Sequence, residues 1–291
     1  MSPAEGPTAP PPGVLVLVAT PIGNLGDLSP RAVATLAGAD VVCCEDTRRT
    51  RALLSHAGVG GARLLSLHAH NEQARSAEVL GLLASGATVA VVSDAGTPAL
   101  SDPGQRLVAA AVAAGVTVQA VPGPSAALAA LVVSGLPTDR FAFEGFLPRR
   151  GAERRRRLEA LGRAPVTTVL FEAPGRVAAT LAELAAACGE ERAVVVAREL
   201  TKLHEEVWRG SAGQAATAFA ARAVRGEVVV VVGPAPPGRE EVGEEALAAA
   251  VRARLAAGDS TRAAADAAAA ELGVARRRAY AAALAVRDAR A

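Results

Sequence analysis

The chain has 291 residues, is 51% hydrophobic but only 2% aromatic, and carries a formal net charge of +2. That length leaves room for two domains and a tail, with interiors filled by alanine, valine and leucine. The small net charge excludes a globally basic or acidic scaffold as the basis for choosing partners, although all but one of the 31 basic residues are arginine, the exception being Lys202.

In chain order, residues 1–12 are proline-rich, lack the apolar core of a signal peptide, and read as a disordered tail. An unbroken apolar run over 14–19 predicts a buried strand. It ends in Thr20-Pro21-Ile22-Gly23-Asn24-Leu25, which lacks the GxGxxG spacing and so disfavours a dinucleotide-binding Rossmann domain. Ser29-Pro30 opens a helix, and a strand over 41–44 runs into Glu45-Asp46-Thr47-Arg48-Arg49. Two carboxylates and two guanidiniums at one strand end are either a helix-capping cluster or part of a reaction centre. A strand over 63–67 ends at His68-Ala69-His70-Asn71-Glu72. Two histidines so spaced can bind metal, but no third ligand accompanies them, and no metal site is expected.

The next stretch is the most informative. A strand over 88–93 breaks at Asp94-Ala95-Gly96-Thr97-Pro98, and Ser101-Asp102-Pro103-Gly104 predicts a helix start with a charged N-cap. A strand over 116–121 stops at Pro122-Gly123-Pro124, after which Ser125 is expected to cap an alanine-rich helix. Ligands of open α/β sheets lie outside the carboxyl ends of strands, so these two turns, read as ends of adjacent strands, predict one cofactor crevice. No charged residue occurs between 107 and 138, but Pro122-Gly123-Pro124 divides that stretch into pieces too short to cross a hydrocarbon core of about 30 Å. The expectation is a mainly parallel α/β domain over 13–137.

Residues 138–165 hold three of the five phenylalanines and then Arg149, Arg150 and Arg154, Arg155, Arg156 and Arg157, and read as a linker with a basic segment. That segment is either a solvated helix start or a phosphate-contacting arm. A second α/β domain is expected over 166–233, with strands at 166–171, 192–197 and 227–232. A polar stretch over 198–210, opening with Arg198-Glu199-Leu200-Thr201-Lys202, follows the second of these, and Ser211 is expected to begin a helix. After a proline-rich linker at 234–238, residues 239–291 read as a helical module. Asp259-Ser260 forms an N-cap, Gly273 a turn, and the second helix carries Arg276, Arg277, Arg278 and Tyr280, a spacing that suits a helix-turn-helix. Nine arginines oppose eight acids there, so simple packing is an equal alternative. Cys43, Cys44 and Cys188, odd in number and without CxxC spacing, read as reduced thiols of a cytoplasmic protein.

Several blocks together carry a resemblance. Thr20-Pro21-Ile22-Gly23-Asn24-Leu25, Glu45-Asp46-Thr47-Arg48, Ser93-Asp94-Ala95-Gly96-Thr97-Pro98, Asp102-Pro103-Gly104, Pro122-Gly123-Pro124-Ser125-Ala126 and Arg198-Glu199-Leu200-Thr201-Lys202 resemble, in order, those of the ribosomal RNA small subunit methyltransferase I family of the tetrapyrrole methylase superfamily. The tetrapyrrole branch opens with a GxGPGD turn, which this chain lacks. The resemblance implies two α/β domains with S-adenosylmethionine in the cleft between them and a terminal helical module. It also implies a homodimer and methyl transfer to the ribose 2′-oxygen of a cytidine in the decoding region of 16S rRNA, in free RNA or in the small subunit.

Such a transfer needs in-line positioning more than a strong catalytic group. Asp94 can accept from cofactor hydroxyl or amino groups, and small residues let backbone amides approach, which gives Pro21, Ile22, Asp94, Ala95, Gly96, Thr97, Ser125 and Ala126 as the expected cofactor contacts. A ribose hydroxyl must lose its proton, with Glu45, Asp46, His68 and Lys202 as candidate acceptors. Arg48 and the arginines from Arg149 to Arg157 are the candidates for phosphate contacts. A small-molecule methyltransferase of the same fold and a nucleic-acid-binding regulator are the competing classes.

Overall fold

The computed structural model describes residues 13–236, 243–272 and 274–288. The expected tail at 1–12, Gly273 and part of the proline-rich linker lie outside the described residues. The chain divides at Pro234 into two compact units.

The first unit holds two five-stranded sheets. Strands β1 (Val14–Val18), β2 (Val41–Cys44), β3 (Arg63–Ser66), β4 (Thr88–Val91) and β5 (Thr117–Val121) form an all-parallel sheet in the order β3-β2-β4-β1-β5. Helices α1 (Pro30–Gly38), α2 (Thr47–His56), α3 (Glu72–Ala84) and α4 (Gln105–Ala113) supply the connections. Alternate residues of the apolar strands enter two cores: Leu15, Val41, Cys43, Val89 and Val91 on one face, and Val16, Val18, Val42, Cys44 and Ala90 on the other. Cys43 and Cys44 therefore point to opposite faces as free thiols, and burial pushes the Cys43 thiol up to about 12.

One sequence expectation fails here. The turns after β4 and β5 do not belong to adjacent strands, because β1 pairs with both and lies between them. The crevice is consequently built from three turns, with Thr20-Pro21-Ile22-Gly23 in the middle.

The second sheet is mixed. Strands β6 (Phe141–Phe146), β7 (Thr167–Glu172), β8 (Ala193–Arg198), β9 (Glu206–Ser211) and β10 (Val228–Val232) take the order β6-β7-β10-β8-β9, with β6–β7 parallel and the other pairings antiparallel. The segment expected as a linker thus supplies β6 and α6 (Ala152–Arg163). Its phenylalanines are pairing residues, and Phe143 meets Phe171 of β7 edge-on and Phe146 meets it at a tilt, with centroids 5.0 and 5.6 Å away. The polar stretch before Ser211 likewise becomes β9, an edge strand whose alternation was masked by charged side chains. Helices α6, α7 (Val177–Cys188) and α8 (Ala212–Phe219) cover one face of this sheet. Helix α5 (Ala126–Ser134), which leaves the first sheet, covers the other through Ala127, Ala130 and Leu131 against Val195, Val229 and Val231.

Helix starts differ from expectation in two places. Ser125 occupies the N-cap position of α5 but makes no side-chain cap bond. Nor does the 101–104 turn cap α4 by itself: Gly104, at φ +121°, is the N-cap residue, and the caps come from α3. Buried Glu72 accepts from the backbone N–H groups of Gly104 (2.9 Å), Arg106 (3.0 Å) and Leu107 (3.4 Å). One carboxylate satisfies three helix-end donors and sits at the positive end of the dipole.

The second unit packs α9 (Glu244–Ala256), α10 (Thr261–Leu272) and α11 (Arg276–Asp288) around Leu247, Val251, Ala265, Ala268, Ala279 and Ala283. Ser260 caps α10 as expected, its hydroxyl accepting from the Ala263 N–H at 3.2 Å.

Replacing Glu72 with alanine removes the acceptor for three inward-facing donors. The expected loss is about 1–3 kcal/mol, with Glu72→Gln recovering part of it. Urea denaturation measures it, and an unchanged midpoint for Glu72→Ala would remove this account of the 101–104 turn.

Candidate active site

The carboxyl ends of β4, β1 and β5 face the second sheet across a cleft with two lobes. The first, about 410 Å³, is lined by Pro21, Ile22, Gly23, Asp94, Ala95 and Lys202 among others. The second, about 330 Å³, shares Ile22, Arg49, Asp94, Ala95 and Glu227 with it and adds Ser101, Asp102, Ala126, Phe146, Phe171 and Val228.

The turns are tied to each other. Thr20 and Gly96 exchange backbone hydrogen bonds at 2.9 and 3.1 Å, and the Thr20 hydroxyl donates to the Ser93 carbonyl. The Thr97 hydroxyl donates to the Pro124 carbonyl at 3.1 Å. Gly96 takes φ +83°, and a Cβ there would stand 3.2 Å from Ile22 Cγ2, so a glycine is needed for both conformation and space. Gly96 and Thr97 therefore act as fasteners between turns, while Pro21, Ile22, Asp94, Ala95 and Ala126 form the walls. Ser125 lines neither lobe.

The expected catalytic candidates separate. Asp46 is spent on the start of α2: its carboxylate accepts from the Arg48 N–H and pairs with the Arg48 guanidinium. Those bonds to Arg48 hold it at about 2. Glu45, exposed at the end of β2, is raised by partial burial and by neighbouring Asp94, with His68 opposing the shift. His68 stands edge-on to His70 at 6.0 Å, and its Nδ1 is buried without a partner. Glu45, Asp46 and His68 all lie outside the two lobes' walls. Lys202 does line the first lobe, but its ammonium donates to Glu199 at 2.8 Å and to Glu227 at 3.1 Å. Burial opposes its charge, these bonds outweigh burial, and its pKa is raised. A firmly protonated ammonium has no lone pair with which to accept a proton.

Sequence reasoning missed Arg49, Glu227 and Asp102. Arg49 donates to Asp94 at 2.9 Å, and the Asp46 N–H donates to the other Asp94 oxygen at 3.1 Å, so Asp94 is held from two sides. Adjacent Arg48 points away, its side chain 86% exposed. The α2 start could have told them apart, since the second and third residues after the Asp46 N-cap face different directions. Glu227 stands against the Glu199 loop, its N–H donating to the Glu199 carboxylate at 3.0 Å. Gly226, at φ +83°, leaves that carboxylate its place, for a Cβ would come within 2.2 Å of it.

The arginine run resolves in two ways. Arg154 is buried, paired with Glu183, and donates to the Thr180 hydroxyl and the Pro148 carbonyl, each at 2.9 Å. That removes it as a phosphate contact: a guanidinium with its donors used inside cannot also reach solvent. Arg157 is half-buried against Glu144. Arg149, Arg150, Arg155 and Arg156 are exposed.

The comparisons agree with this architecture. The family model described as Tetrapyrrole (Corrin/Porphyrin) Methylases matches residues 14–216. The chain is 47% identical over 247 residues to a Synechocystis protein named ribosomal RNA small subunit methyltransferase I, spanning 84% of this chain and 88% of that protein. A protein of the same name from Xylella fastidiosa is 52% identical over 223 residues, 76% of this chain and 81% of its own. Among solved structures, uroporphyrin-III C-methyl transferase from Thermus thermophilus complexed with S-adenyl homocysteine shares the fold with TM-score 0.54 and 22% identity, over 76% of this chain and 97% of that one. The chain therefore belongs to the tetrapyrrole methylase family, and within it to the ribosomal RNA small subunit methyltransferase I group.

Proposed function

We propose that the cleft between the two sheets holds S-adenosylmethionine and that the protein methylates the ribose 2′-oxygen of a cytidine in the decoding region of 16S rRNA. The carrying observation is the identity of 47–52% to relatives named for small-subunit rRNA methylation, joined to a cleft whose chemistry suits a cationic methyl donor. Asp94 and Glu227 offer negative charge to a sulfonium and an ammonium, while Ile22, Ala126, Phe171 and Val228 offer an apolar wall to a flat base. The glycines at 96 and 226 let Ile22 and the Glu199 carboxylate approach the backbone closely beside that space. When bound, such a donor supplies an electrophilic methyl group. The protein's part is to align the acceptor oxygen, exclude water and take up a proton.

The exposed arginines Arg48, Arg149, Arg150, Arg155 and Arg156 are read as phosphate contacts for rRNA or the small subunit. A homodimer belongs to the same reading. Its support is the exposed apolar surface of α5, where Leu128 and Val132 lie one turn apart at 50% and 70% exposure, with Val112 at 62% on α4. A cytoplasmic location rests on the three free thiols, and no helix among the described residues is long and apolar enough to cross a membrane.

Unmodified small subunits incubated with the protein and labelled S-adenosylmethionine, then digested to nucleosides for mass spectrometry, should show a methyl on cytidine ribose. Methyl on the base would defeat the 2′-oxygen assignment. Asp94→Ala should weaken S-adenosylmethionine binding roughly tenfold or more, about 1.4 kcal/mol, in a protein whose circular dichroism is unchanged. Equal calorimetric affinity would take Asp94 out of the cofactor site. Neutralising Arg155 and Arg156 should flatten the log K against log salt slope by up to about 0.9 per lost duplex phosphate contact while sparing cofactor affinity. Identical slopes would assign both to solvated surface.

A further inference from the structure

We propose that Asp102 is the group that takes the proton from the substrate hydroxyl, an inference that rests on the methyl-transfer reading above. Four carboxylates line the two lobes: Asp94, Asp102, Glu172 and Glu227. Three are engaged. Asp94 accepts from Arg49 and from the Asp46 N–H. Glu172 accepts from Arg176 at 2.6 Å, the Thr180 hydroxyl at 2.6 Å and the Ala173 N–H at 2.7 Å. Glu227 accepts from Lys202. Among the described residues Asp102 makes no ion pair, and nearby Ser93 favours its charged form. A base must have a lone pair to give, and of these four carboxylates only that of Asp102 is free of a cation.

Its placement is built. Asp102 follows Ser101, a non-glycine residue held at φ +64°, with Ala99 at φ +66° two positions earlier. Backbone held there is strained and persists only where surroundings enforce it. Two observations show the enforcement. Glu72 grips the backbone just beyond, at Gly104 and Arg106, and Gly145, at φ +60°, leaves room for the Ser101 hydroxyl 2.7 Å from where its Cβ would be. The chain on both sides of Asp102 is thus fixed, and Asp102 lines the second lobe together with Ala126 and Phe171.

The electrostatics point the same way. Partial burial, then Glu45 and Asp94, push the Asp102 carboxyl up to about 6, with Glu227 adding and Ser93 opposing. The groups facing it are Glu45 from the end of β2, Asp94 after β4, Glu227 before β10, Glu172 at the end of β7 and Arg49 on α2. An acceptor with a pKa near the operating pH is ionised and still basic. As the ribose oxygen bonds to the methyl carbon, the carbon–sulfur bond breaks with its electron pair kept by sulfur. The hydroxyl proton passes to the Asp102 carboxylate and from there to water.

The sign of the shift gives a second readout. A carboxyl raised in the folded state opposes folding wherever it is ionised, so its removal should stabilise the protein above about pH 6 and do nothing below the ordinary carboxylate range.

The test compares wild type with Asp102→Asn on unmodified small subunits. Expected are a kcat at least about 100-fold lower, S-adenosylmethionine affinity by calorimetry within twofold, and loss of the wild-type acidic limb that rises through about pH 6. Also expected is a urea midpoint above wild type at pH 8, with the difference shrinking towards pH 4. Asp102→Glu should restore part of the rate. Wild-type kcat in Asp102→Asn overturns the proposal, as does an acidic limb that survives there and vanishes in Glu45→Gln. A lost cofactor affinity, or a midpoint lowered at pH 8, overturns it in favour of a binding or structural role. A wild type that transfers no methyl to the small subunit fails the functional reading itself, which is a different result from equal rates in the two proteins.

Discussion

The passage of α5 from one sheet onto the other is the constraint from which the cleft follows. The Pro122-Gly123-Pro124 turn brings the chain off β5 with no freedom at two of three positions. Gly123 is also pressed so close to Ala19 that a Cβ would meet its methyl at 3.0 Å. The helix that follows is alanine-rich, and Ala127 and Ala130 let it lie close against the valines of β8 and β10. Because the helix is continuous with the first sheet and buried on the second, the strand ends of the first sheet cannot turn away from the strand ends of the second. Two edges rich in turns, each with backbone groups to satisfy, are thereby held face to face.

What fills that space is charge arranged by unequal solvation. Pairs form where cations reach: Arg49 with Asp94, Lys202 with Glu199 and Glu227, Arg176 with Glu172. The loops carrying these acids hold all the non-glycine residues with positive φ among the described residues, namely Ala99, Ser101, Glu199 and Thr201. One pair lies after β4 and the other after β8, so strained backbone stands on opposite banks of the cleft. The Asn24 N–H donating to the Thr201 hydroxyl at 3.2 Å is one bond that crosses between them. Strain kept on both sides of a polar cleft fits a site whose geometry outranks its stability.

Much of this was legible in the residues. Apolar runs over 14–19, 41–44 and 88–93 marked strands because a parallel sheet covered on both faces needs unbroken apolar sequence, and glycine and proline marked their ends. The second sheet was read less well for the opposite reason. β6 and β9 are edge strands, one with phenylalanines and a bulge near Gly145, the other with Glu206, Trp208 and Arg209, and edge strands carry mixed faces that look like loops. Strand order was not readable at all, since the crossovers that place β1 between β4 and β5 leave no local mark. In the site, turn residues were found and their partners were not. Asp94 announces itself after an apolar run, whereas Arg49, Glu227 and Glu72 act through contacts 45, 25 and 32 residues distant along the chain. The arginine run misled at Arg154 because helical spacing turns one member of a charged stretch inward, where Glu183 and Thr180 await it.

Lys202 is the only lysine in the sequence, and it borders the cleft with its ammonium between two carboxylates. Its aliphatic stem lies over Gly23, whose absent side chain is what admits it: a Cβ would sit 2.4 Å from Lys202 Cγ. Arginine could not replace it there without a longer, planar head group displacing one of the acids. The chemical consequence is selectivity. Reagents that acylate amines would find a single side chain to modify in the whole sequence, through the small neutral fraction that Glu199 and Glu227 leave it, and that side chain borders the cleft. The extent of its modification would therefore register what occupies the cleft, giving the molecule a built-in reporter position that a lysine-rich relative would lack.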